Sequence, residues 1–408
     1  MILICYNRYM RKSNGALNTD VCIVGAGPHG LAATLLFNRI DPSMKVTVID
    51  HSTEWLATWN RQFQRAAITT LRSPIVHHPS PDSFDLDNFL KKNKFPRSGL
   101  PYNPPTTECF SAFCNQIISD ADLDDPLIAI PQSVQSDQNG IALKTTNGII
   151  YARYLIIATN PQHKIIPQWT QNLSQKPNIT KHASEVDLSD IADLEGQSIT
   201  VIGGGLTAAH LTRGAASKGA LVKMIARRPL QIRSFDTDPG WLGPKYLNGY
   251  YLETDNQKRI QIARNARGGG SIPQWMHNLL LDFQKAGSVE ILESTEVSSA
   301  ELKDPKGCLL KLTNEEQVYS DQVWLATGTC CDLQSMKFLH PLLENFSFVD
   351  EFPVLDRSLR LKPHPIYLMG RTATFALGPA AGNLWGATRA AHQITKDITG
   401  VEFVSNGT

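Results

Sequence analysis

A glycine-rich turn between an apolar run and a helical pattern constrains this chain more than any other feature. Val21-Cys22-Ile23-Val24 leads straight into Gly25-Ala26-Gly27-Pro28-His29-Gly30, and Leu31, Ala32, Leu35, Leu36 and Ile40 then recur at helical spacing. That order predicts buried strand, tight turn and helix. Each glycine meets a distinct steric demand: Gly25 permits the turn, Gly27 lets a diphosphate approach the backbone, and Gly30 lets the helix pack close to the strand. Free N–H groups and the positive end of the helix dipole then face the phosphates. A second strand, Lys45 to Ile49, follows and ends in Asp50, twenty residues past Gly30. A carboxylate there accepts both hydroxyls of an adenosine ribose and repels a 2′-phosphate. The alternative is an ordinary βαβ turn without a ligand.

A chain of 408 residues has room for two or three domains, each with its own core. A net charge of +1, with no runs of lysine or arginine, argues against a nucleic-acid or anionic-membrane partner. The cysteines Cys5, Cys22, Cys109, Cys114, Cys308, Cys330 and Cys331 include no Cys-x-x-Cys, so neither a redox dithiol nor a thiolate metal site is encoded locally. His77 and His78 are adjacent but no His-x-x-x-His occurs, and no metal is expected. Basic residues follow the apolar start Met1 to Tyr6, the reverse of a secretory leader, and no apolar run reaches membrane-spanning length. The expectation is a soluble, cytoplasmic protein whose residues 1–17 form a loosely attached tail.

From Pro74 to Pro105 proline, histidine and aspartate dominate, which predicts a long ordered loop broken by a short helix near Leu86–Lys91. A helix is expected over Thr107 to Ile118, then short strands at Ser133–Gln135 and Gly140–Thr145, and a buried strand from Arg153 to Ala158 ending in Thr159-Asn160. A second glycine-rich turn then opens. Ser198 to Ile202 runs into Gly203-Gly204-Gly205-Leu206-Thr207-Ala208, with Ala208 at the third small position, and the helix is expected to reach about Ser217. Its partner strand, Leu221 to Ala226, ends in Arg227-Arg228 instead of a carboxylate. A guanidinium fork suits a 2′-phosphate, so this site favours NADPH over NADH, a solvated arginine pair being the alternative. Arg264 to Ser271 reads as a basic glycine loop, either covering a cofactor or simply connecting. Strands at Gln322–Ala326 and Pro365–Gly370 precede a last helix that starts after Gly378 to Leu384 and runs through Ala391.

Two such units, each closed by an Ala-Thr-(Gly/Asn) strand end at Ala158-Thr159-Asn160 and Ala326-Thr327-Gly328, resemble the two-dinucleotide-binding flavoproteins. The resemblance implies an α/β fold with two Rossmann-like dinucleotide-binding domains, the NADPH domain inserted into the FAD domain. It implies a first part of the FAD domain over residues 18–190, an NADPH domain over 191–324 and a second part of the FAD domain with the C-terminal helix over 325–408. FAD is then held by Gly25, Ala26, Gly27, Pro28, His29, Gly30, Asp50, Trp59, Asn383 and Leu384. NADPH is held by Gly203, Gly204, Gly205, Leu206, Thr207, Ala208, Arg227 and Arg228.

Trp59, Leu71-Arg72-Ser73-Pro74, Pro81-x-x-Phe84, the Pro104 to Phe113 stretch and His182-Ala183-Ser184-Glu185 are most similar to class B flavin monooxygenases, above all the lysine and ornithine N-hydroxylases of siderophore synthesis. Such an enzyme reduces FAD with NADPH, activates O₂ as a C4a-hydroperoxide and oxygenates a small nucleophile. The departures touch the substrate. The lysine that grips the amino-acid carboxylate in those hydroxylases falls on Ala66, leaving Arg65 as the nearest cation, and the flavin-binding Gly-Asp of many relatives is Gly370-Arg371. His182 reads as a structural or NADP-loop residue, catalysis being the weaker alternative. Trp55 and Trp59 suit either the flavin pocket or the core. A reductase passing electrons to a thiol, quinone or protein partner, a low-turnover redox sensor, and a homo-oligomer stay open.

Overall fold

The computed structural model describes residues 16–404 apart from 138–139, 174–175, 304–305 and 345. Ala16–Val24 forms β1, whose last four residues are fully enclosed or nearly so. Helix α1 (Pro28–Ile40) starts on Gly27, with proline at its first position where no N–H is needed. Strand β2 (Val46–Asp50) lies parallel to β1, and β3 (Gly148–Ile157) lies parallel on the other side. Leu127–Ile128 extends the sheet beyond β2, Ile366–Leu368 pairs with the end of β3, and the hairpin Pro131–Asp137/Gly140–Thr145 pairs with its start. This is the α/β first unit, with its core packed between sheet and helices.

The second unit is a wholly parallel five-stranded sheet. Its β4 (Thr180–His182), β5 (Ser198–Ile202), β6 (Leu221–Ala226), β7 (Val289–Glu293) and β8 (Gln322–Leu325) take the spatial order β7-β6-β5-β8-β4. Helix α2 (Leu206–Ala216) covers it and buries Ala208, Ala209, Leu211 and Ala215. Two antiparallel strands, Gln162–Lys164 and Thr329–Cys331, carry the chain between the units side by side. Helix α3 (Leu384–Thr399) returns to pack on α1. The two Rossmann-like sheets give two units, the second inserted in the first, as the sequence leads one to expect.

Four expectations are corrected. Ala16 and Leu17 are not tail: they begin β1 and pair with Ile149 and Ile150 of β3, while residues 1–15 lie outside the described residues. The border at 190/191 falls too late, because Thr180–His182 completes the edge of the second sheet through pairing with Val323–Leu325. Leu325 likewise belongs to that sheet. The stretch from Arg264 is not loop throughout. A helix, Asn256–Arg267, is capped by Asp255, whose carboxylate accepts from Gln257 N (2.9 Å) and Lys258 N (3.1 Å), and it buries Ile260 and Ala263. Only Gly268, in left-handed conformation, ends it. Helix α3 continues past Ala391, burying Ile394 and Thr395, until Gly400 caps it.

Candidate functional site: two glycine-rich turns

At the first turn Gly25 has φ of 111°, a conformation that a side chain would strain. A Cβ on Gly30 would overlap the Gly25 carbonyl oxygen, so the closeness of helix to strand demands glycine there. Gly27 differs from both. A Cβ built on it meets nothing within 4 Å, so its face opens onto space at the first turn of α1. Asp50 ends β2 with one oxygen accepting from Ala26 N (2.7 Å) and the other from His51 N (2.7 Å), which aims the carboxylate across the turn.

Around this cradle the chain buries polar atoms without partners. Trp59 Nε1 and Thr159 Oγ1 are both shut from solvent and unbonded among the described residues. Trp59 sits on Ala57–Arg65, edge-on to Phe63 (5.2 Å) and tilted on Phe110 (6.3 Å). A buried donor without an acceptor costs about 1–3 kcal/mol, so such atoms beside an open cradle fit a polar ligand there. His29 turns elsewhere: its Nε2 meets the Ala381 carbonyl (3.2 Å), and burial lowers its pKa. The neutral ring thus ties α1 to the approach of α3. Asn383 precedes α3 without capping it, because its Nδ2 donates to Asp236 of the second unit (3.1 Å). Leu384 is buried. Arg371 turns to Thr329 O (3.0 Å) on the crossing strand.

The second turn repeats the backbone. Gly203 has φ of 145°, with the Ala326 carbonyl where a Cβ would go, and Ala208 lies on the buried face of α2. Leu206 and Thr207 open α2, the latter exposed. Gly25 N bonds Ile49 O, and Gly203 N bonds Ile225 O, so the residue equivalent to Asp50 is Ala226. Arg227 and Arg228 follow, exposed, with no hydrogen-bond or ion-pair partner among the described residues. Gly204 and Gly205 are not open like Gly27: the backbone of Gly270 lies against Gly205.

His182 is part of the joint between the units. Its Nε2 meets Gly328 O (3.2 Å), its Nδ1 the Ser184 hydroxyl (2.8 Å), and its N–H donates to Glu185 (2.8 Å). A ring so engaged positions the crossing strand, and burial lowers its pKa. Arg65 lies in the same seam, its carbonyl accepting from Leu188 N (2.8 Å). Nearby, the Asp187 carboxyl is held low first by its hydrogen bond from Ser189 and further by the charges of Arg61 and Arg65.

Two residues at the contact between the units had no role assigned from sequence. Arg72 donates from the first unit to Ser234 O (3.0 Å), Arg233 O (2.8 Å), Ser271 O (3.2 Å) and Ser271 Oγ (2.9 Å) of the second. Burial lowers its pKa to about 10, against the pull of Asp236. Asp236 itself pairs with Arg267 (2.8 Å) and accepts from Asn383. The Leu71-Arg72-Ser73-Pro74 motif marked the place, but the partners stand too far along the chain for spacing to reveal them. His77 and His78 belong to the 74–105 loop, His78 buried against Phe113 with its Nε2 on Ser83 O (3.1 Å). Among the described residues no cluster of side chains could hold a metal, and no helix is long and apolar enough to cross a membrane.

Residues 22–268 match the family of pyridine nucleotide-disulphide oxidoreductases. The L-lysine N6-monooxygenase of Escherichia coli is 27% identical over 222 residues, 49% of this chain and 51% of that protein, so the match spans about half the relative's length. Among solved structures, the FAD-bound cadaverine monooxygenase of the desferrioxamine pathway from Erwinia amylovora superposes with a TM-score of 0.76 at 16% identity, covering 96% of each chain. The ornithine N-hydroxylase of Kutzneria sp. 744, solved with reduced FAD, NADP⁺ and L-ornithine, gives a TM-score of 0.75 at 16% identity over 93% of this chain and 99% of that one. At such identity these likenesses establish the fold.

Proposed function

Because this chain belongs to the pyridine nucleotide-disulphide oxidoreductase family, and is thereby an FAD- and NAD(P)H-dependent oxidoreductase, we propose that it is a monooxygenase using FAD, NADPH and O₂ on a small nucleophile. The observation that separates this reading from a dithiol-type reductase is the state of the thiols. All six described cysteines are unpaired, and five of them are buried. Cys330 and Cys331 are neighbours on one strand, where successive side chains point to opposite faces. Burial pushes the Cys331 thiol up to about 11 and the Cys22 thiol up to about 12. Among the described residues no dithiol is therefore poised to take electrons from a flavin.

In this reading FAD lies on the open Gly27 face, its diphosphate on the N–H groups of α1 and its ribose on the Asp50 carboxylate that Ala26 already orients. When bound, FAD supplies the redox chemistry, taking hydride from a nicotinamide and passing oxygen to the substrate. The chain's own contribution is placement and exclusion. Trp59, Phe63 and Phe110 form an apolar wall that keeps water out, and Arg227 and Arg228 are free to take a 2′-phosphate. His182 acts through the joint of the two units, not on substrate. An amino-acid carboxylate finds little here: Ala66 stands at the expected grip, and Arg72 commits its guanidinium to three residues of the second unit. The proposed substrate is thus a small nucleophile other than lysine or ornithine.

The test is to reduce the FAD-loaded protein with NADPH without oxygen, then offer O₂, a disulphide or a quinone. The expected result is rapid reoxidation by O₂ alone, with lysine and ornithine raising NADPH consumption less than about twofold and yielding little hydroxylamine, because no cation holds their carboxylate. Faster reoxidation by a disulphide or quinone would replace the monooxygenase with a reductase.

A further inference from the structure

The loop that follows Asn256–Arg267 is seated on the second phosphate turn, backbone against backbone. A Cβ on Gly270 would stand 2.6 Å from Gly205 Cα and 2.9 Å from Gly205 N, and one on Gly205 would stand 3.2 Å from Gly270 Cα. Gly205 is the N-terminal boundary residue of α2, where a diphosphate takes its hydrogen bonds. The loop thus fills the place that is empty at Gly27 in the first unit.

We propose that Gly268–Gly270 is a gate on the second dinucleotide site, latched from the first unit by Arg72. This inference rests on the reading of that site as the NADPH site. The loop is anchored at both ends, and between them Gln231 Nε2 donates to Gly268 O (3.4 Å). On one side Arg267 holds Asp236 (2.8 Å) and Pro379 O (2.9 Å). On the other, Ile272 N bonds Gln231 O (2.9 Å) and Arg233 N bonds Ile272 O (2.9 Å). Arg72 grips Ser271 by carbonyl and hydroxyl, immediately beside the seated segment. Three consecutive glycines carry no side chain that would have to leave a packed site when the segment swings. The Arg228 and Arg233 guanidinium groups lie along Gly269 and Gly268, so the charges that attract a phosphorylated nucleotide rest on the gate itself. Nucleotide arriving at Arg228 and at the α2 N-terminus displaces the loop from the turn. Because the latch comes from the first unit, opening the gate is coupled to the seam between the units.

A site competent only when open binds with its affinity reduced by the open fraction. The experiment titrates NADP⁺ into the full-length protein and into Gly270→Ala and Ser271→Ala variants, with hydrogen exchange of the 264–276 peptides measured with and without NADP⁺. Gly270→Ala puts a methyl group against Gly205 and holds the gate off the turn. Ser271→Ala leaves the backbone alone and removes one latch contact. The expected results are NADP⁺ binding tighter by up to about tenfold in Gly270→Ala and about twofold in Ser271→Ala, for a gate closed roughly nine times in ten. NADP⁺ should also speed exchange across 268–271 in the wild type. NADP⁺ binding in the wild type that neither variant tightens, or exchange slowed by nucleotide, overturns the gate and leaves the nucleotide site standing. Absence of NADP⁺ binding in all three proteins overturns the nucleotide reading, and the gate with it.

Discussion

At the first glycine turn a side chain on Gly27 would project into open space, whereas at the second Gly205 lies under the backbone of Gly270. The strand registers are the same: Gly25 bonds Ile49 and Gly203 bonds Ile225, each one residue before the position proposed to meet an adenosine ribose. At that position the first unit has Asp50 and the second Ala226, followed by two free arginines. The third small residue differs too, Gly30 in one and Ala208 in the other. One backbone solution therefore carries two chemistries. The first turn is preorganised by its own carboxylate and stands open, while the second has exposed arginines beside it and is covered.

The largest effect expected from this comparison concerns the third position. Gly30→Ala drives a methyl group into the Gly25 carbonyl oxygen, whereas Ala208→Gly in the second unit removes only a methyl group from a helix. Overpacking of this kind costs about 1–3 kcal/mol or more, against about 1 kcal/mol for a helical glycine. Thermal unfolding of the two variants should show Gly30→Ala as the more damaging, with FAD lost on purification. Equal destabilisation would mean that the two helices approach their strands alike and that the contrast at this position is illusory.

Next in size is Gly27→Val. Its Cβ meets nothing within 4 Å and its φ of −76° suits any residue, so the melting temperature without FAD should match wild type. The side chain fills the face where the diphosphate is proposed to lie, and FAD affinity should fall by about a hundredfold, or roughly 2.7 kcal/mol. Unchanged FAD affinity would remove the cofactor from this turn.

Both turns were legible from sequence because their demands are local: a strand end, glycine spacing and a helix start all lie within a dozen residues. The same holds for Thr107–Asp120, whose cap Thr106 accepts from Cys109 N (3.1 Å) and whose apolar face is written in Phe110 and Phe113. What escaped is settled by distant partners or hidden by polarity. Arg72 cannot be assigned a role without Arg233, Ser234 and Ser271 beside it. Thr180–His182 is too short and polar to read as a strand until Val323–Leu325 supplies its ladder. The helix ending at Arg267 shows only Ile260 and Ala263 as buried positions, so its arginines and the glycines after it read as loop.

The smallest expected effect tests the ribose end of the comparison. If Arg227 and Arg228 grip a 2′-phosphate, replacing both by alanine should cost NADPH about 1.5–3 kcal/mol, on the order of ten- to a hundredfold in affinity, and leave NADH nearly unchanged. Ala226→Asp is the sharper change, because it gives the second unit the carboxylate that the first unit carries as Asp50. The new carboxylate would stand beside Gly204, whose Cβ would lie 3.2 Å from that of Ala226, as Asp50 stands beside Ala26. It should accept the hydroxyls of NADH and repel the extra phosphate of NADPH, with the neighbouring arginines partly screening the repulsion. The preference for NADPH, measured as the ratio of anaerobic flavin reduction rates at limiting nucleotide, should fall by a few fold in Ala226→Asp and vanish when both arginines are also removed. Wild-type protein that reduces its flavin equally well with NADH and NADPH would leave the arginine pair as a solvated strand end. The two turns would then differ only in what covers them.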